Sequence, residues 1–172
     1  MDIRNALLKE QSKKQVDLIV NYISSNPKLF DELMQCFYSD NQKLKLRASW
    51  CLSYCIENYP PLLNPYLEKL LPILCQPVHQ GIKRNIVRAL MFVSLPEQYE
   101  AIVANTCFEL LKAGDESIAV RANAMTVLAN ICRKHPDMKY ELQQAIQLQL
   151  PYASTGFKAR AKNILKQLNS IK

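Results

Sequence analysis

The stretch Gly114-Asp115-Glu116-Ser117-Ile118-Ala119-Val120-Arg121-Ala122-Asn123-Ala124-Met125-Thr126-Val127-Leu128-Ala129-Asn130-Ile131-Cys132-Arg133-Lys134-His135-Pro136 carries its own start and stop signals. Gly114 and Asp115 interrupt the helical pattern before it. Asp115 or Ser117 suits an N-cap, where a side-chain oxygen accepts from an otherwise unpaired backbone N–H. Pro136 stops the helix. Ile118, Ala122, Met125, Leu128 or Ala129, and Cys132 recur at steps of three and four, which places them on one face. Asn123, Thr126, Asn130 and Arg133 fall on another. The small residues Ala119, Ala122, Ala124 and Ala129 let neighbouring helices approach, so packing on more than one side is expected.

Weaker copies of this stretch recur along the chain. Arg121 has counterparts in Arg47, Arg84 and Arg160, at successive steps of 37, 37 and 39 residues. Pro60, Pro96 and Pro136 each follow one of these arginines after a comparable helical run, and Lys14 holds the arginine position in an earlier helix ending before Pro27. Five copies of a two-helix unit account for nearly all of the 172 residues.

The pattern resembles the HEAT-like, armadillo-type α-solenoid repeats. The resemblance implies an all-α, right-handed superhelix of about ten helices in five HEAT-like hairpins, with residues 1–172 as a single repeat domain. It also implies a ladder between repeats, in which a turn Asp and a helix Arg six residues later are hydrogen-bonded. Asp115 and Arg121 match that spacing, and Asn41 and Arg47 match it with an amide for the acid. Val78 before Arg84 and Ser154 before Arg160 depart from it.

Within the units, helices are expected over about residues 3–9 and 12–25, with Val16, Ile19, Val20 and Ile23 inward. Phe30, Leu33, Met34 and Phe37 follow, then Leu44, Ala48, Cys51, Leu52 and Cys55. Pro72 should kink the helix of the third unit, because proline removes a backbone donor and clashes with the preceding turn. Residues 97–112 should bury Tyr99, Ile102, Val103, Cys107 and Leu110. Residues 137–149 and 157–170 form the last pair.

Nearly half the residues are apolar and only three are glycine, which argues against disorder. No apolar run approaches the roughly 20 residues of a membrane helix, and the first residues lack a signal-peptide core, so a cytoplasmic protein with no membrane contact is expected. Cys36, Cys51, Cys55, Cys75, Cys107 and Cys132 lie in apolar helical stretches without a Cys-x-x-Cys pair, and His79 and His135 lack ligand-spaced partners. They read as free core thiols in a reducing compartment, with no metal and no cofactor.

Charge is where function shows. The second helices of the five units, taken as 12–25, 41–58, 78–94, 117–135 and 155–172, hold sixteen Lys or Arg and two acids, Asp17 and Glu57. The rest of the chain holds six basic and thirteen acidic residues. In solenoids of the family resembled, second helices line the concave surface, which implies a basic inner face or edge. The candidate basic surface comprises Lys43, Lys45, Lys83, Arg88, Arg133, Lys134, Lys158 and Lys162, with Asn123, Thr126 and Asn130 as a polar stripe. Cations at helix starts oppose the helix dipole; the inter-repeat ladder with solvation is the preferred compensation, and a site for phosphates or carboxylates at these helix starts is the alternative.

The first expectation is a monomeric, non-enzymatic scaffold that holds an acidic segment of another protein. The alternative is nucleic-acid binding through phosphates, with Trp50, Tyr54 and Arg88 supplying stacking. Trp50 and Tyr54 also read as core residues, and that reading is preferred. Some HEAT-like proteins are DNA alkyl-base glycosylases that use Trp, Asp and Arg in the groove. With only Asp17 and Glu57 on the second helices, and no phosphate loop, nucleophile elbow or zinc helix, no catalytic residue is expected.

Overall fold

The computed structural model describes residues 1–171, and among them all regular structure is helical: ten α-helices and no strand. Lys172, counted above in the last helix, lies outside the described residues. The chain divides into two compact units, Met1–Ser94 and Leu95–Lys172.

In the first unit α1 (Ile3–Lys9) and α2 (Lys13–Ser25) form one pair, α3 (Phe30–Tyr38) and α4 (Gln42–Asn58) the next, and α5 (Leu67–Leu70) and α6 (Gln80–Leu90) the third. The second helices start on side-chain caps, as their sequences require. Ser12, Asn41 and His79 accept from the backbone N–H groups of Gln15, Leu44 and Gly81. Helix α4 is the centre of the unit, packed by α2 on one side and α6 on the other, with α1 and α3 also against it. Leu44, Ala48, Cys51, Leu52 and Ile56 of α4 are fully buried or nearly so, with Phe30, Leu33 and Phe37 of α3. Each of the Leu, Ile and Phe side chains among them stabilises by about 1.5–3 kcal/mol on burial, more than an exposed ion pair contributes. Gly81 marks where α6 meets α4: a Cβ there would stand 2.8 Å from Leu46 Cδ1.

The second unit contains α7 (Glu97–Lys112) with α8 (Ile118–Cys132), and α9 (Lys139–Gln147) with α10 (Thr155–Asn169). Ser117 caps α8 and Ser154 caps α10, which decides between Asp115 and Ser117 in favour of the serine. Helix α8 is covered on several sides, by α7, α9 and α10, as its alanines allow. Its buried residues include Val120, Ala124, Met125, Val127, Leu128 and Cys132.

Four local expectations are corrected. Pro72 does not kink a long helix; α5 is a single turn that passes into a 3-10 segment, Leu71–Cys75, because proline tolerates the start of such a turn but not a helix interior. Ile102 is 50% exposed and Tyr99 half-buried; Val103, Cys107 and Leu110 are buried as expected, joined by Ala104, Phe108 and Leu111. Ile118, placed on the apolar face of α8, is exposed as its first residue, while Val120 in the same turn is buried. Cys75 is exposed at the end of the 3-10 segment, while the other five thiols are buried. Burial pushes the Cys55 and Cys107 thiols up to about 12 and Cys132 to about 11, which keeps them protonated and unreactive.

Candidate interaction surface

Two of the repeat arginines, Arg47 and Arg121, donate to carbonyls of earlier helices. Arg47 Nη1 donates to Leu7 O at 2.8 Å and Leu8 O at 3.0 Å, both in the last turn of α1. Arg121 Nε donates to Leu111 O at 3.3 Å in the last turn of α7, Nη2 donates to Gln149 Oε1, and the guanidinium lies 5.0 Å from the Phe157 ring centroid. Helix C-termini leave carbonyls without intrahelical donors, and these arginines supply them. The expected ladder contacts do not form. Asp115 is exposed and makes no hydrogen bond or ion pair among the described residues, and Asn41 is occupied as the cap of its own helix. The arginine side chains instead reach across to carbonyls of a different helix.

In the first unit the second helices form a self-paired face. Lys13 of α2 donates to Asp17 one turn on and lies 4.4 Å from the Tyr54 ring centroid. Arg88 of α6 lies 4.4 Å from the same ring, donates to Glu57 Oε2 at 2.6 Å, and also donates to Ser53 O at 3.1 Å. Asp17 and Glu57, the two acids of the second helices, are therefore partners of two of their cations. Tyr54 is neither core nor free platform: it is half-buried and covered by two cations. Trp50, one turn earlier, is half-buried against Arg47, Glu10 and Gln15 around a narrow crevice. Lys43 is exposed and Lys45 half-buried near the start of α4, neither side chain bonded among the described residues, and Lys83 is half-buried in the first turn of α6.

The second unit treats the candidate residues differently. Lys134 donates to Glu100 Oε1 at 2.6 Å and to Leu95 O at 3.3 Å, while His135 Nε2 lies 2.6 Å from Glu100 Oε2. These contacts, His135 first and Lys134 next, hold the Glu100 carboxyl below its usual range. Sequence reasoning missed this cluster, although His135 and Lys134 adjoin at the end of the opening stretch. The polar stripe is structural: Thr126 Oγ1 accepts from Arg160 Nη1 at 2.6 Å, Asn123 is buried, and both asparagines are already engaged. Arg133 is exposed.

Helix α10 holds the remaining candidates. Phe157, Ala161, Ile164 and Leu168 form its buried stripe. Lys158, Lys162 and Lys166 recur every fourth residue, are exposed, and make no side-chain hydrogen bond or ion pair among the described residues. At about 100° per residue, Lys162 lies some 160° around the helix from Arg160, which reaches α8. The lysine row and the Thr126 stripe are therefore on different faces. Helix α10 contains no Asp or Glu.

The HEAT repeat domain model matches residues 3–168. The chain belongs to the HEAT repeat family. No curated protein and no solved structure gave a significant match. HEAT repeat proteins are typically non-catalytic helical scaffolds that mediate protein interactions. Among the described residues, no cluster of His, Cys, Asp and Glu could hold a metal ion, and no helix is long and apolar enough to cross a membrane.

Proposed function

We propose that the protein is a non-catalytic interaction module that holds an acidic segment of another protein, with the lysine row of α10 as its main contact. The observation that carries this reading is the set Lys158, Lys162 and Lys166: three exposed cations in one row, on a helix without a carboxylate. Several other cations have partners within the chain, as Arg88 and Lys134 do. A row of unpaired like charges disfavours its own helix slightly and favours an anionic partner. Lys43 and Lys45 of the first unit extend the same reading to a second, smaller patch.

The test is binding of a labelled oligoglutamate peptide to the full chain at two salt concentrations. The expected result is saturable binding that weakens with salt and is lost in the Lys158→Glu, Lys162→Glu, Lys166→Glu variant at unchanged melting temperature. Equal binding by that variant overturns the assignment. A preference for single-stranded oligonucleotides over the peptide, with a steep salt slope, would replace the acidic protein segment by a phosphate backbone.

A further inference from the structure

Beside the start of α10 the second unit has an open cleft of about 370 Å³. Its walls include Ile118, Leu148, Tyr152 and Phe157, and its polar groups include Arg121 and Gln149. Three of the large apolar side chains are turned to solvent: Ile118 is 47% exposed, Leu148 78% and Tyr152 94%. Water-facing apolar side chains are common singly, but three gathered on one cleft mark a place where apolar surface is left to be covered. No acid lines the cleft, and Arg121 has no ionic partner among the described residues. Its Nε and one Nη2 proton are taken by Leu111 O and Gln149 Oε1, which leaves donors on Nη1.

The lysine row begins next to the cleft wall in sequence. Phe157 forms part of its wall, and Lys158 is the next residue. A rise of 1.5 Å per residue sets Lys158, Lys162 and Lys166 about 6 Å apart along α10. Alternate residues of an extended chain advance by about 6.7 Å. An extended peptide with carboxylates at alternate positions therefore keeps step with the row.

From this we infer the composition of the partner segment: an extended stretch of another protein in which a large apolar side chain enters the cleft and is followed by acidic residues at alternate positions. The apolar anchor covers Leu148 and Tyr152, the nearest carboxylate meets Arg121, and the following ones meet Lys158 and Lys162. This rests on the reading of α10 as an acidic-segment site and adds the anchor to it.

Two peptides decide it, each titrated by fluorescence anisotropy against the full chain: a dye-labelled peptide with one Trp followed by Glu at alternate positions, and the same peptide with Ala for Trp. The Trp peptide is expected to bind at least tenfold more tightly. Leu148→Ser and Tyr152→Ser, both at exposed positions and so harmless to the fold, should remove that advantage without changing the affinity of the Ala peptide. Arg121→Gln, checked by its melting temperature, should weaken the Trp peptide further. Equal affinity of the two peptides, or an unchanged Trp advantage in the serine variants, overturns the anchor and leaves the acidic-segment reading standing. Failure of both peptides to bind overturns both.

Discussion

Two groups of cations on the second helices, one in each unit, are held in opposite ways. In the first, Lys13 and Arg88 flank Tyr54 and are each matched by a carboxylate, Asp17 or Glu57. In the second, α10 presents three exposed lysines with no carboxylate on the helix. The difference teaches that net charge along a repeat array does not locate a binding surface. A cation with an ion pair and an aromatic face has its electrostatic demand met within the chain, and a partner must first displace that pair. An unmatched row has nothing to displace.

The largest effect is expected from giving the second unit the arrangement of the first. Lys162→Glu places a carboxylate one helical turn from both Lys158 and Lys166, and should weaken oligoglutamate binding at least tenfold. The two new i,i+4 pairs add about 0.2–0.5 kcal/mol each to the helix, so the melting temperature should hold or rise. Retained binding would dissolve the contrast between the units.

The converse change in the first unit should cost stability and leave binding alone. Arg88→Ala removes a ring contact, a hydrogen bond to Ser53 O and a part-exposed ion pair, an expected loss of about 1–2 kcal/mol in urea denaturation. A loss of peptide affinity in that variant would instead make the paired face part of the site.

Smaller still is the acid response of the Glu100 cluster. Contacts from His135 and Lys134 lower the folded carboxyl below its unfolded value. Its contribution is therefore complete above the unfolded carboxylate range and is lost as pH falls through the folded value. The melting temperature of the wild type should fall more steeply on acidification than that of Glu100→Gln, with the two curves converging in acid. Parallel curves would remove the cluster from the stability of the second unit. The least perturbing test is thiol labelling: one cysteine, Cys75, should react rapidly in the native chain and all six after denaturation.

Much of the fold was legible because it is written in local signals. The spacing of Arg47, Arg84, Arg121 and Arg160, a cap at Asp115 or Ser117, and the prolines between units are all readable without coordinates. The candidate surface was legible only as a list. Lys158 and Lys162 remain in it with their side chains unbonded, while Arg88 and Lys134 are held by Glu57 and Glu100, acids 31 and 34 residues away in sequence. The cleft between Ile118, Leu148 and Tyr152 had no sequence signal beyond apolar residues at helix ends and in a turn.

Sequence alone therefore determined the repeat, the helical content and the two-helix unit, since periodicity, capping and proline placement act over a few residues. Tertiary structure alone decided which cations are matched, whether Arg121 meets Asp115 or the carbonyl of Leu111, and which apolar side chains stay in water. Those outcomes depend on which side of each helix faces its neighbour. A shift of one residue turns a side chain by about 100°, and only the packed neighbours select among the possibilities.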